Sequence, residues 1–319
     1  TLSPSSAASD VYKRQAVVIG AGAIGLEMAA ALTEKGVETT VVELLPHVLP
    51  LSLDADMAKL VQEKLQEHGV NLILGKPVKR ILGDEHVKAV EVDGEELEAD
   101  MVIAATGVRA NTSLAEEAGL AIGPTRAIKT DFRMRCLDAK RQRPVEGVYA
   151  AGDCAESIHM VTGLPALSQL GTTAVRMGKV AGINAAGGYA IFPGVLGAFV
   201  TKVFDLEIGS TGLTAEGAQR LGMDVVVGRA RHTTKAEYYP GGEPIWAKLV
   251  VEKHSKRVVG GQLAGREGVA PRVDIISVAI QAGMTIYDLA KLRHAYAPPL
   301  ADAWDVITLA ADVAIRRLG

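Results

Sequence analysis

The chain has 319 residues, of which 48% are apolar and 22% charged, a balance that predicts about two folded domains and excludes a disordered chain. A formal net charge of −3 and only 4% aromatic residues argue against a nucleic-acid partner, because such surfaces are basic and carry stacking rings. The apolar runs are too short for a membrane helix. Two cysteines, Cys136 and Cys154, cannot build a disulfide framework, which favours a soluble, cytoplasmic protein. We predict that Cys154 is a small buried side chain and that there is no metal site.

The first fifteen residues differ from everything that follows. Residues 1–15 are rich in serine and alanine and have no apolar period, whereas residues 16–19 are all apolar. The segment lacks the basic start and the apolar centre of a secretion signal. We expect a leader that is foreign to the folded domains, in a protein whose natural form extends upstream; a flexible natural tail is the alternative.

A buried strand, a glycine-rich loop and a helix follow one another from residue 16 to Gly36. In such a unit Gly20 makes the tight turn, Gly22 lets a pyrophosphate approach the backbone, and Gly25 lets helix and strand pack closely. The N-terminus of the helix favours the bound anion. The sequence therefore predicts a dinucleotide site whose contacts are Gly20, Gly22, Ala23, Ile24 and Gly25.

The second strand, residues 38–42, ends in Glu43, where a carboxylate accepts hydrogen bonds from the adenosine ribose. No Arg or Lys follows directly to pair a 2′-phosphate, so NADH is favoured over NADPH. Further patterns predict a helix at 54–68, a strand at 70–74, a hairpin at 87–98 and a strand at 101–105 that leads into Gly107. Residues 16–107 thus form a predicted α/β, Rossmann-type domain.

Another predicted strand ends in Gly152-Asp153, and a helix opens at Gly171-Thr172. The motifs GAGAIGLE (20–27), AATGVRAN (104–111) and GVYAAGDCAE (147–156) resemble the FAD-dependent pyridine nucleotide–disulfide oxidoreductases, and the resemblance covers residues 16–319. It implies that Asp153 binds the ribityl chain of FAD, that Gly107 lies near the nicotinamide, and that the helix at Gly171 directs its positive end at the flavin. Residues 108–190 would be the C-terminal portion of the FAD domain.

The sequence departs from this family in two places. The family's first glycine loop and its redox-active cysteine lie upstream of the NAD domain, and this sequence contains neither. Ala23 stands where the family often has an aromatic residue, so no ring would gate the nicotinamide. We expect that the 319-residue chain by itself does not reduce disulfides.

Beyond a glycine-rich linker at 185–188, strand patterns (198–204, 224–229, 245–252, 258–264) precede helices (272–282, 286–291), which predicts an α+β domain at 191–319. This region resembles the family's dimerisation domain. Tyr296-Ala297-Pro298-Pro299 resembles the signature of the branch that contains coenzyme A-disulfide reductases, NADH oxidases and persulfide reductases.

This resemblance implies a homodimer in which Tyr239 and Tyr296 reach the partner's active site. Tyr238 is the alternative to Tyr239 at the first position, and packing at the interface is the alternative role of Tyr296. Arg176 is a candidate for coenzyme A phosphates, and His294 is expected to be structural. The implied activity passes electrons from NADH through FAD to a CoA disulfide, persulfide or polysulfide. The alternatives are an NADH oxidase that reduces O₂ and a non-catalytic, NAD-binding dimer.

Overall fold

The computed structural model describes residues 14–319, so the predicted leader lies outside the described residues except for Arg14 and Gln15. Gln15 is already part of the first strand, one residue earlier than the predicted start. The first third of the chain contains β1 (Gln15–Ile19), α1 (Ala23–Glu34), β2 (Glu38–Glu43), α2 (Ala55–Glu67), β3 (Asn71–Leu74), β4 (Val78–Gly83), β5 (Val87–Val92), β6 (Glu95–Glu98) and β7 (Met101–Ala104).

Four of these strands form a parallel sheet in the order β3-β2-β1-β7. Successive residues of β1 point to opposite faces, so Val18 packs under α1 and α2 while Val17 packs against the antiparallel meander β4-β5-β6. Asp93 (φ 52°) and Gly94 (φ 88°) both take left-handed conformations in the hairpin turn that the sequence predicted. The Rossmann-type architecture is confirmed, and β4 is the one strand of this unit that the sequence patterns did not predict.

The middle of the chain consists of short elements around a separate core. These are α3 (Ser113–Glu117), β8 (Ile128–Lys129), β9 (Arg135–Leu137), β10 (Pro144–Tyr149), β11 (Ala155–Ile158), β12 (Pro165–Ala166) and α4 (Gly171–Ala185). Cys136 is fully buried in this core, and burial raises the pKa of its thiol to about 11. Cys154 packs at the edge of the same core and is only partly buried, which corrects the prediction of a buried side chain.

The last part is an α+β unit, as predicted. It contains β13 (Phe199–Val203), β14 (Leu206–Gly212), α5 (Ala215–Arg220), β15 (Val225–Thr233), β16 (Pro244–Glu252), β17 (Val258–Gly265), α6 (Val269–Gln281), α7 (Ile286–Ala290) and α8 (Val306–Arg317). The strands form an antiparallel sheet in the order β13-β14-β17-β16-β15, and α6 and α8 pack on one face. The sequence patterns missed β14, α5 and α8. Helix α8 approaches β15 so closely that a Cβ at Gly228 would lie 2.0 Å from the carbonyl oxygen of Ala310.

The other face of this sheet packs against the nucleotide unit. Val203, Leu206 and Ile208 share one apolar core with residues of α1 and α2. A buried polar contact joins the same two units, in which Lys248 of β16 lies 2.7 Å from the Asp54 carboxylate that precedes α2. The first and third units are therefore joined by a continuous interior. Within residues 14–319, no helix has the length and apolar character needed to cross a membrane.

Candidate functional site

The glycine loop occupies the carboxyl edge of the parallel sheet. Gly20 has φ +100°, and a Cβ there would lie 2.4 Å from the carbonyl oxygen of Ala105, just past β7. A Cβ at Gly25 would lie 2.0 Å from the carbonyl oxygen of Gly20. At Gly22, by contrast, no described atom beyond its two neighbours in the chain lies within 4 Å of the position of a Cβ. The loop is therefore tight at both ends and open in the middle, which is the space that a pyrophosphate against the backbone requires.

Helix α1 begins directly under this opening. Its N-cap is Gly22, and no hydrogen bond from a side chain in the described part of the chain caps its first turn. Ala23 and Ile24 are the first two helical residues, and the first turn contains no acidic residue. The backbone N–H groups of this turn, together with the helix dipole, favour a bound anion.

Glu43 is the last residue of β2 and lies beside the loop with 8% of its surface exposed. Its Oε2 accepts a hydrogen bond from the N–H of Ala21 at 2.7 Å, and its Oε1 accepts one from the N–H of Leu45 at 2.8 Å. Each carboxylate oxygen has a further lone pair for a donor such as a ribose hydroxyl. Because Gly107 (φ +91°) follows β7, it lies at the same sheet edge as the loop. The structure thus brings together the residues of the predicted nicotinamide dinucleotide site.

A second group of predicted residues meets at the N-terminus of α4. Gly152 has φ +81°, and a Cβ there would lie 3.4 Å from the Cβ of Ala174 in α4. The next residue, Asp153, is exposed, and its carbonyl oxygen accepts a hydrogen bond from Gln169 at 3.4 Å. Helix α4 starts at Gly171, and no side chain among the described residues caps it. An exposed carboxylate beside a free helix N-terminus fits one end of a flavin, which offers hydroxyl donors and an edge that becomes negative on reduction.

Two further residues of α4 face solvent near this end. Thr172 lies in the first turn, and Arg176 follows four residues later, which places the two on the same side of the helix. Both are exposed. The guanidinium of Arg176 is therefore positioned to meet an anionic group that approaches the start of α4.

Of the predicted tyrosines, Tyr296 pairs with a neighbouring tyrosine in the third unit. The hydroxyl of Tyr296 lies 2.5 Å from that of Tyr238, the residue that the sequence kept as an alternative to Tyr239. This hydrogen bond is the main cause that raises the pKa of Tyr296 above its ordinary value of 10.0. Tyr239 is exposed and is not the hydroxyl partner of Tyr296. The ring of His294 contacts the carbonyl oxygen of Ala303 at 2.9 Å, an arrangement that favours a structural role.

The sequence patterns did not identify two polar contacts. One is the buried group of Asp54, Lys248 and Gln262, and the other is the pair of His232 and Asp302. Their partners are far apart along the chain, so no local spacing could have indicated them. Among residues 14–319, no cluster of three or more His, Cys, Asp or Glu side chains suited to a metal ion occurs.

A Rossmann-type sheet with an open glycine loop at its carboxyl edge defines a dinucleotide-binding protein. The model of the pyridine nucleotide-disulphide oxidoreductase family matches residues 3–178, and the model of that family's dimerisation domain matches residues 199–306. The chain therefore belongs to the pyridine nucleotide-disulphide oxidoreductase family, which confirms the predicted class of enzyme.

Two curated relatives and one solved structure illustrate the similarity. The chain is 46% identical to an NADH oxidase of Methanocaldococcus jannaschii over 305 residues, 96% of this chain and 66% of the relative. It is 43% identical to an NAD(P)H sulfur oxidoreductase (CoA-dependent) of Pyrococcus furiosus over 297 residues, 93% of this chain and 65% of the relative. It superimposes on an NAD-dependent persulfide reductase from A. fulgidus with a TM-score of 0.90 and 42% identity, covering 98% of this chain and 57% of that one. These relatives belong to the branch of the family that the Tyr296–Pro299 motif indicated. The chain spans just under two thirds of the length of each curated relative.

Proposed function

We propose that this chain binds NADH at residues 20–25, with the pyrophosphate on the N-terminus of α1 and the adenosine ribose on Glu43. The observation that carries this proposal is the open space above Gly22, directly over the free first turn of α1. Glu43 supports it because its carboxylate is already held beside the loop by Ala21. Leu44 and Leu45 follow Glu43 without a cation for a 2′-phosphate, so NADH is preferred over NADPH.

We further propose that Gly152, Asp153, Gly171 and Thr172 hold one end of FAD. Asp153 accepts hydrogen bonds from the ribityl hydroxyls, and the N-terminus of α4 stabilises negative charge at the edge of the ring system. FAD, when bound, supplies a two-electron acceptor for the hydride of NADH and a route for these electrons to a substrate.

For the whole enzyme we propose a sulfur substrate: a CoA disulfide, persulfide or polysulfide. The names of the Pyrococcus furiosus and A. fulgidus proteins support this substrate class. Tyr238 and Tyr296 present hydroxyl groups that donate hydrogen bonds to a sulfur anion, Tyr239 remains a predicted catalytic residue beside them, and Arg176 meets the CoA phosphates. The match to the family's dimerisation domain supports a homodimer in which these tyrosines serve the partner subunit. Oxygen is the second candidate acceptor, because the Methanocaldococcus jannaschii relative is named an NADH oxidase.

Calorimetric titration of the purified chain with NADH tests the nucleotide site. Replacing Glu43 by Gln removes a charge-assisted hydrogen bond to the ribose, and we expect binding to weaken about tenfold. The matched control is Glu34→Gln at the exposed end of α1, which is expected to leave the affinity unchanged. Equal affinities of the wild-type chain and the Glu43→Gln variant, or of NADH and NADPH, would contradict the proposal.

An absorption spectrum near 450 nm, before and after FAD is added, tests the flavin site. A flavin band that NADH bleaches under argon supports it, and Asp153→Ala is then expected to weaken FAD binding. A colourless chain that still binds NADH would refute the flavin site in this chain while leaving the nucleotide site intact. If the band bleaches, oxygen consumption in air tests the second candidate acceptor. Anaerobic oxidation of NADH with CoA disulfide or polysulfide is not expected of this chain by itself, and observing it would contradict the expectation that the chain alone does not reduce disulfides.

A further inference from the structure

The two loops that carry the tyrosines touch at their tips. The first tyrosine loop (residues 234–243) joins β15 to β16, and the second tyrosine loop (residues 291–305) joins α7 to α8. Their tips meet through the hydroxyls of Tyr238 and Tyr296, which lie 2.5 Å apart on side chains that are 74% and 49% exposed. A single hydrogen bond between exposed groups contributes little net stability, because water competes for both partners. The tip contact is therefore too weak to hold the loops together by itself.

A second contact lies at the base of the loops. Nε2 of His232, near the end of β15, is 2.8 Å from Oδ2 of Asp302 in the second tyrosine loop, and the two side chains are only 19% and 18% exposed. Hydrogen bonds between imidazole and carboxylate are strong when water has limited access. Because β15 pairs with β16 along its whole length, His232 is a fixed point of the sheet. Asp302 is thereby tied to the sheet.

The second tyrosine loop transmits this attachment to Tyr296. The N–H groups of Leu300 and Ala301 both donate to the carbonyl oxygen of Ala297, each at 2.9 Å, so the chain doubles back right after Tyr296. The His294 ring contacts the carbonyl oxygen of Ala303 at 2.9 Å and closes the loop from the other side. A loop closed in this way moves as one piece, and fixing Asp302 therefore fixes Tyr296.

The first tyrosine loop is closed as well. The N–H of Thr234 donates to the carbonyl oxygen of Glu243 at 2.9 Å, and the N–H of Glu243 donates to Oγ1 of Thr234 at 3.0 Å. Lys235 adds a bond from its Nζ to the carbonyl oxygen of Gly241 at 2.9 Å. Both tyrosines thus stand on closed loops, and the His232–Asp302 pair is the polar contact that links these loops at their base.

We propose that His232 and Asp302 are positioning residues that hold the hydroxyl of Tyr296 against that of Tyr238, so that the two phenols act as one unit. The catalytic meaning of this unit, a paired donor facing a sulfur anion, rests on the proposed function. The positioning itself is a property of this chain alone. The charge of Asp302 adds to the hydrogen bond in keeping Tyr296 in its neutral, donating form.

The test is a pH titration of the chain labelled with ¹³C at the Cζ of tyrosine, followed by NMR. Of the seven tyrosine signals, the one that disappears in Tyr296→Phe belongs to Tyr296. His232→Ala removes the attachment of Asp302 to the sheet and alters neither phenol. Any fall in the pKa of Tyr296 in that variant then reports the loss of its position.

We expect the pKa of Tyr296 to fall in His232→Ala to the value found in Tyr238→Phe, and to fall no further in the double variant. His232→Gln, whose amide can still donate to Asp302, is expected to keep the raised value, and the exposed control His254→Ala is expected to match the wild type. The proposal is overturned if His232→Ala keeps the wild-type pKa while Tyr238→Phe lowers it, or if the two effects add.

A second measurement decides the matter if His232→Ala unfolds at alkaline pH. At pH 7, a nuclear Overhauser effect between the rings of Tyr238 and Tyr296 is expected in the wild type and in His232→Gln and is expected to be lost in His232→Ala. Its persistence in His232→Ala would overturn the proposal. Neither measurement involves NADH or flavin, so a failure of NADH binding refutes the proposed function without touching the positioning of the tyrosines.

Discussion

Replacing Lys248 by methionine is expected to cost the protein about 3 kcal/mol of stability, because it leaves a buried carboxylate without its counter-ion. Lys248 is 5% exposed, and its Nζ lies 2.7 Å from Oδ2 of Asp54 and 2.6 Å from Oδ1 of Asp56. Burial by itself would raise the pKa of Asp54, but hydrogen bonds from the backbone N–H of Glu216, from Lys248 and from Gln262 outweigh it and hold this pKa below 3.8. The carboxylate is therefore ionised, and the substitution removes one of the groups that hold its pKa down.

The magnitude follows from the donors that remain. Removing one partner of a buried ion pair costs about 3–5 kcal/mol. The lower end applies here because Asp54 keeps a bond from Gln262 at 2.7 Å and one from the N–H of Ala215 at 3.1 Å. Asp54→Asn removes the charge but keeps the shape, and since Lys248 retains Asp56, we expect a cost of about 1–2 kcal/mol.

The loss of stability in the double variant Asp54→Asn, Lys248→Met is expected to be about 1–3 kcal/mol smaller than the sum of the losses in the two single variants, because no charge is left unpaired. Urea unfolding followed by circular dichroism measures all three variants, with unchanged m-values as the check on the comparison. The matched control is Lys253→Met, which breaks an exposed ion pair of 2.7 Å with Asp224 and is expected to cost less than about 1 kcal/mol. Equal costs for Lys248→Met and Lys253→Met, or strict additivity in the double variant, would refute this reasoning.

Two further predictions concern a close packing contact and a buried imidazole. Gly228→Ala is expected to cost about 1–3 kcal/mol by denaturant unfolding, because its Cβ would meet the backbone of α8. At Gly178 a Cβ would meet no described atom within 4 Å outside the adjoining backbone of α4, so Gly178→Ala is expected to stabilise the protein by about 0.5–1 kcal/mol. Equal effects of the two substitutions would contradict the packing argument. Burial lowers the pKa of His159 below its ordinary 6.5, so the unfolded chain binds the proton more readily and the protein loses stability as the pH falls below about 6.5. His159→Gln is expected to flatten the dependence of the unfolding midpoint on pH between 7 and 5. The exposed control His254→Gln is expected to leave that dependence unchanged. If His159→Gln shows the same pH dependence as the wild type, another group is responsible for it.

Much of this protein could be predicted without the structure because the relevant signals are local. The strand, glycine loop and helix around Gly22 occupy consecutive residues. Gly20 and Gly25 are required there by close approaches to the backbone that leave no room for a side chain. The same holds for the hairpin turn at Asp93-Gly94 and for the order of strands and helices in the third unit. Patterns of this kind depend on residues that are at most a few positions apart, so periodicity and turn chemistry suffice to recognise them.

Only the tertiary structure decided the contacts between distant residues. It showed that Tyr296 pairs with Tyr238, a choice between two adjacent tyrosines that depends on how a loop closes. It also showed that Lys248 and Asp54, 194 positions apart in the numbering, share one buried site, and that the sheet of the third unit completes the core of the nucleotide unit. No periodic pattern in the sequence indicates the partner of a buried charge or of an exposed hydroxyl. The packing of whole elements selects that partner, and this packing exists only once the chain has folded.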